Sequence, residues 1–149
     1  QAIDKFGNVI TIPRDKINFD YRTSNLSEDL IFLSASFKGK KTDAKTISQE
    51  VKKLRIKKEM NQPTMIKTSG STFKNPIYQT NKKVWELIKE SVPLDLKFGD
   101  ASISQKHCNF FVNNGNASFE DMSKLIDFVT KKVLEKTGIN LEKEIKILK

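Results

Sequence analysis

The sequence has little that could hold a metal or staple a fold. Its 149 residues include one Cys, one His and one Trp, with six Gly and four Pro. The lone Cys108 cannot close an internal disulfide, so a secreted disulfide scaffold is excluded and a reducing cytosol is expected. One His and one Cys, with no HxxxH or CxxC spacing, exclude the usual zinc and iron sites. No apolar run approaches the roughly 20 residues that span a bilayer, and no basic stretch leading into an apolar one opens the chain. The Gly-rich dinucleotide fingerprint and the phosphate loop closing on Gly-Lys are missing. No Ser stands in a nucleophile elbow.

What is abundant is positive charge. The 27 cations exceed the 18 acids, for a net charge of +9, and an excess of that kind raises nucleic acid or another polyanion as a partner. Only Arg14, Arg22 and Arg55 are arginines, however. Lys lacks the planar fork that reads guanine edges, and it is spread over almost every segment. A solvated Lys-rich surface is the better reading, and a small basic nucleic-acid-binding or polyanion-binding module stands as the alternative. The ten Phe are available to seed a core, although hydrophobic residues make up only 37% of the chain.

The pattern is that of an α+β protein with segregated helices and a largely antiparallel sheet. A hairpin is expected over 2–12, turning at Phe6-Gly7-Asn8 and stopped by Pro13. A chain that opens inside a hairpin is expected to continue a longer one. Residues 30–38 alternate as a half-buried strand, with Ile31, Leu33, Ala35 and Phe37 on one side. At Gly39-Lys40-Lys41-Thr42 the period changes, and Ile47, Val51 and Leu54 then predict an amphipathic helix over 43–58 with a basic outer face. Residues 61–75 read as a long functional loop. A second helix over 81–91 turns Val84, Leu87 and Ile88 inward and ends before Pro93. Strands are expected at 94–98, 101–104 and 108–113, with a tight turn at Asn114-Gly115. Ser118 with Asp121 forms a capping-box pattern that opens a third helix, in which Met122, Leu125, Ile126, Val129 and Val133 share a face and Gly138 is the stop. A last strand is expected over 141–147.

The stretch that carries chemistry is Gly70-Ser71-Thr72-Phe73-Lys74-Asn75-Pro76. Gly70 lets the backbone turn and exposes hydroxyls and N–H groups, with Lys74 and Asn75 as donors suited to an anion. By itself it reads as an ordinary surface loop. The same heptapeptide, however, resembles the substrate-domain signature of the UDP-N-acetylenolpyruvoylglucosamine reductases, the MurB flavoenzymes of peptidoglycan precursor synthesis. Further segments resemble that family in the expected order: Asp20-Tyr21-Arg22-Thr23-Ser24, Gln62-Pro63, Gly99-Asp100-Ala101, residues 104–113 and Leu141-Glu142-Lys143-Glu144-Ile145. Two positions depart from it, with Asp20 and Lys149 standing where the family usually has Gly.

The resemblance implies a MurB-like substrate domain over 41–149, preceded by the tail of a flavin domain over 1–40. It implies an oxidoreductase in which NADPH reduces FAD and the hydride passes to UDP-N-acetylglucosamine enolpyruvate. Most of the FAD site lies outside this sequence, so the flavin domain is expected in cis or on a separate chain, and the chain alone is expected to be inactive. Ser71 matches the family's proton donor, and Arg22 and Glu144 match the pair that holds and polarises the substrate carboxylate. Tyr21, Lys58, Lys74, Asn75 and His107 match substrate-binding positions, His107 on the diphosphate side. No metal, nucleic acid or membrane is expected to take part, and the location implied is cytoplasmic. Without the resemblance, Glu144 would read as a solvated strand-face carboxylate and His107 as a satisfied structural residue.

Overall fold

The computed structural model describes residues 1–148; Lys149 lies outside the described residues. The chain divides into two compact units, Gln1–Asp43 and the part from Ala44 onward. In the first, β1 (Ala2–Ile3) lies between β2 (Val9–Ile10) and β5 (Ile31–Phe32), antiparallel to both. The expected hairpin is there, and its turn is closed by Gly7 at φ 85° and by Asp4, whose Oδ1 accepts the N–H groups of Phe6 and Asn8, both at 2.9 Å. A second hairpin pairs β3 (Phe19–Asp20) with β4 (Thr23–Ser24) around the two residues Tyr21 and Arg22.

The strand expected over 30–38 is not observed as such. Only Ile31–Phe32 pairs, and Ile31, Phe32, Leu33 and Phe37 are all exposed. Alternation marks which side chains could share a face, but a half-buried strand also needs a layer to pack on, and none covers these residues in this unit.

The second unit is a two-layer α/β arrangement. Its sheet runs β6-β9-β8-β7, all antiparallel: β6 (Lys67–Ser71), β9 (Phe110–Asn113), β8 (Ala101–Ile103) and β7 (Lys97–Phe98). Helices α2 (Val84–Ser91) and α3 (Phe119–Thr137) pack on one another, with α3 laid against β7 and β8. Val84, Leu87 and Ile88 of α2 and Leu125, Ile126, Val129 and Val133 of α3 meet Ala101, Ile103 and Phe111 from the sheet. The helical periodicity of both segments is thus the core itself. The capping box is formed as expected: Ser118 Oγ accepts the Asp121 N–H at 3.1 Å, and Asp121 Oδ2 accepts the Ser118 N–H at 2.9 Å. Gly138 closes α3 at φ 72°.

Three further expectations are corrected. Helix α1 (Ala44–Asn61) forms, but none of its residues is buried, and Ile47, Val51 and Leu54 are exposed. Its helicity rests on local propensity, with Ala, Lys, Arg, Glu, Gln, Leu and Met filling most positions. The loop foreseen over 61–75 contains β6, because Lys67 and Thr68 pair with Asn113 and Val112 before a register shift leads to Ser71 opposite Phe110. The last strand foreseen over 141–147 is reduced to one antiparallel bridge, Phe73 with Lys143. Among the described residues no helix is long and apolar enough to cross a membrane.

Gly99 and Gly138 both sit at positive φ, but their surroundings differ. A Cβ on Gly99 would lie 2.6 Å from Asp121 Oδ2, inside the cap of α3, whereas one on Gly138 would meet nothing within 4 Å. Gly138→Ala should therefore cost only the left-handed backbone penalty of about 1 to 2 kcal/mol. Gly99→Ala should cost more, since it also displaces a capping carboxylate. Urea unfolding of the two variants checks the order, and equal midpoints would refute it.

Candidate active site on the sheet face away from the helices

The end of β6 carries the site. Ser71 pairs with Phe110, whose neighbour Phe111 lies in the helix-side core, so Ser71 and Phe110 face away from the helices. Two residues on, Phe73 is buried in that core, edge-on to Phe111 at a centroid distance of 5.8 Å. In a regular strand residues 71 and 73 would share a side. The chain therefore turns over at Thr72, just beyond Gly70, whose φ of 90° a side chain would resist.

Asn109 makes that turn-over possible. Buried at 4% exposure, it accepts the Phe73 N–H on Oδ1 at 3.0 Å and donates Nδ2 to the Phe73 carbonyl at 2.9 Å, while its own carbonyl takes the Thr72 N–H at 2.8 Å. Neither its spacing nor the family resemblance of residues 104–113 gives Asn109 a role. A polar residue between Cys108 and Phe110, in a run that otherwise reads as core, was the available signal.

The same region receives the end of the chain. Glu144 N–H donates to the Thr72 carbonyl and Lys74 N–H to the Glu142 carbonyl, each at 2.9 Å, on either side of the Phe73–Lys143 bridge. Lys143 reaches Asp127 of α3 at 3.3 Å, so it lies on the helix side. Alternation then turns Glu142 and the half-buried Glu144 to the opposite side, with Ser71. Lys74 forms an ion pair with Glu142 there. Asn75 accepts the Val84 N–H on Oδ1 at 3.0 Å, tying the loop to the start of α2. Any donation from Asn75 to a ligand therefore comes from Nδ2.

His107 stacks edge-on to Phe110 at 4.9 Å, which brings it to the face that Ser71 occupies. Its Nδ1 accepts the Asn109 N–H at 3.3 Å, which assigns the remaining proton of the neutral ring to Nε2. Lys58 lies in the last turn of α1, next to Glu59, whose carbonyl accepts Lys106 Nζ at 2.7 Å. That contact ties the last turn of α1 to the segment that precedes His107. An open cleft of about 520 Å³ continues along this face, lined by Ser102, Ser104, Val112, Asn114, Gln105 and Lys106 among others. Its size is in the range of small-molecule sites. Cys108 Sγ donates to the Trp85 carbonyl at 3.0 Å, and burial pushes its thiol pKa up, so it stays an inert thiol. No group of His, Cys, Asp and Glu able to hold a metal occurs among the described residues.

Tyr21 and Arg22 stand together on the β3–β4 hairpin of the first unit, the Arg22 guanidinium 5.3 Å from the centroid of the Tyr21 ring. Arg22 has φ 58°, a left-handed conformation unusual for a side-chain-bearing residue and often found at functional positions. Asp20 is not among the residues at positive φ, so this backbone does not need the family's Gly at that point.

The chain matches the family model described as UDP-N-acetylenolpyruvoylglucosamine reductase, C-terminal domain, over residues 62–148. It belongs to that family. A UDP-N-acetylenolpyruvoylglucosamine reductase of Pelagibacter ubique is 68% identical over 149 residues, covering all of this chain and 49% of its own length. One from Rickettsia typhi is 42% identical over 146 residues, 98% of this chain and 48% of its own. This chain thus spans about half the length of the curated relatives it matches. The crystal structure of the enzyme from Thermus caldophilus superposes with a TM-score of 0.74 at 28% identity, over 98% of this chain and 51% of that one. The α+β architecture is therefore that of the C-terminal portion of these reductases.

Burial lowers the His107 pKa from its ordinary 6.5, because a partly desolvated imidazole resists charging. The unfolded chain then binds a proton more readily than the folded one. His107's contribution to stability is complete above pH 6.5 and is lost as pH falls through the lower folded value. An NMR titration should place the His107 midpoint below 6.5, and His107→Gln should flatten that part of the stability profile. A midpoint above 6.5 would contradict the assignment of a neutral donor.

Proposed function

We propose that this chain is the substrate-binding portion of a UDP-N-acetylenolpyruvoylglucosamine reductase, with residues 1–40 the tail of the flavin domain and 41–149 the substrate domain. The reaction is the reduction of UDP-N-acetylglucosamine enolpyruvate to UDP-N-acetylmuramate, a cytoplasmic step of peptidoglycan precursor synthesis. The observation that carries this reading is the convergence of Ser71 and Glu144 on one face through the hydrogen bond from Glu144 N–H to the Thr72 carbonyl, in a chain of this family.

The described residues offer no cradle for the pyrophosphate of FAD. In the first unit Gly7 serves a hairpin turn, and the one helical element, Arg14–Lys16, is three residues long and is preceded by Pro13 without a side-chain cap. These described residues therefore do not fit a flavin pyrophosphate. In the intact enzyme FAD reduced by NADPH would supply the hydride, on a domain joined in cis or provided as a separate chain. This chain's part is to bind the substrate, hold its carboxylate and deliver a proton.

Charge that develops beside the substrate carboxylate calls for preorganised donors and a positioned acid. Ser71 Oγ is suited to the second task, since no hydrogen bond engages it among the described residues. Its proton goes to the carbon next to the carboxylate. Glu144 and Arg22 hold and polarise that carboxylate. His107 Nε2–H, Lys58, Asn75 and Tyr21 serve the nucleotide end. A nucleic-acid role finds less support, because Lys82, Lys124, Lys132 and Lys143 are each paired with an acid.

In the intact enzyme, Ser71→Ala should leave flavin reduction by NADPH nearly unchanged and slow reoxidation by substrate roughly a hundred- to ten-thousand-fold. Glu144→Gln should slow the same half-reaction while keeping the shape of the site. Stopped-flow absorbance separates the two steps, and an unaltered reoxidation rate in Ser71→Ala would remove Ser71 from the role assigned.

Residues 1–149 expressed alone should retain no stoichiometric FAD after dialysis, and a UDP-sugar should shift the His107 and Asn75 resonances. A persistent flavin band would overturn the division of labour. Salt-sensitive DNA binding without any response to the UDP-sugar would favour the polyanion reading.

A further inference from the structure

The segment that carries Glu144 forms no regular strand, and side chains hold it in place. Gln79 exchanges two hydrogen bonds with Asn140, donating Nε2 to its carbonyl at 2.9 Å and accepting its N–H on Oε1 at 3.0 Å. Leu141 is buried in the core, and Lys143 is pinned to Asp127. On the opposite face the pin is the ion pair of Lys74 with Glu142, two residues linked also through their backbones. The Lys74 side chain is only 29% exposed, against 70% for Glu142.

We infer that the Lys74–Glu142 ion pair is a positioning clamp that sets the register of Glu144 against Thr72, and that Lys74 acts through this clamp and not as a ligand of the substrate diphosphate. The inference rests on the role given to Glu144 under Proposed function. One bridge with a single backbone bond on each side specifies register weakly. A charge pair at the next cross-strand position resists any slip, since a slip would part the charges and carry Glu144 off the Ser71 face. Lys74 already has a carboxylate that offsets its charge, so its attraction for a phosphate is reduced.

The test uses Lys74→Glu, Glu142→Lys and the double swap, with Lys74→Arg as the charge-keeping control. By NMR hydrogen exchange, the Glu144 amide should exchange roughly fivefold faster in each single charge reversal and recover in the swap, while amides of α2 and α3 hold. In the intact enzyme, reoxidation by substrate should fall in each single variant and recover in the swap, with kcat moving more than KM. Lys74→Arg should match the unaltered protein in both assays. Unchanged Glu144 protection in the single variants, or no recovery in the swap, overturns the clamp whatever the enzyme does. A raised KM at constant kcat that persists in the swap marks direct diphosphate contact and also overturns it. Protection lost and restored as expected, with reoxidation constant throughout, upholds the clamp and overturns the catalytic role of Glu144 instead.

Discussion

Asn109 holds both ends of the Phe73 peptide unit in a buried setting, and the arrangement of the second unit depends on that grip. Without it the Phe73 N–H and carbonyl would be buried unpaired, each at a cost of about 1 to 3 kcal/mol. With it the chain can reverse its facing at Thr72, sending Phe73 into the helix-side core and leaving Ser71 on the other side. Folding energy and chemistry are thus joined at one residue. The apolar side chain that anchors the segment is two positions from the hydroxyl that the segment presents.

The electrostatics of that face are set more by burial and pairing than by net charge. An excess of +9 suggests a broad basic surface, yet the cation closest in sequence to Ser71 is neutralised by Glu142. The ring of His107 is kept toward its neutral form by desolvation, with its tautomer set by the Asn109 N–H. A neutral imidazole donor and a Ser hydroxyl suit a ligand recognised by hydrogen bonds from fixed directions. Diffuse attraction to a polyanion would need no such fixing.

The helices divide by what sustains them. Both α2 and α3 bury a continuous apolar stripe; α3 carries a formed capping box, and at the start of α2 Glu86 Oε2 accepts the Lys83 N–H at 2.7 Å, so packing and local signals agree. Helix α1 has a comparable apolar spacing at Ile47, Val51 and Leu54, but nothing in its own unit covers that stripe. Its last turn is nonetheless tied in, through the Glu59 carbonyl and Lys106. The segment bearing Lys58 is therefore held at its C-terminal end while its apolar spacing contributes nothing to the core.

Local sequence was enough to specify the hairpin at Gly7, the extent of α3 between Ser118 and Gly138, the inward faces of α2 and α3 and the family signature from Gly70 to Pro76. These are short-range matters of turn chemistry, capping and helical period, or a local string of residues. Burial was legible in α2 and α3 but not in the first unit or along α1. Ile31 and Phe37 alternate like a half-buried strand and Val51 and Leu54 repeat like a core helix, yet all four are exposed, because periodicity shows which side chains align and not whether a layer faces them. The grip of Asn109 on Phe73, the pairing of Lys74 with Glu142 and the backbone bond that sets Glu144 beside Thr72 come from the tertiary fold, although the family resemblance already puts Ser71 and Glu144 in one site. Each joins residues tens of positions apart, and whether two such segments meet depends on strand order and on the reversal at Thr72, for which a linear pattern has no symbol.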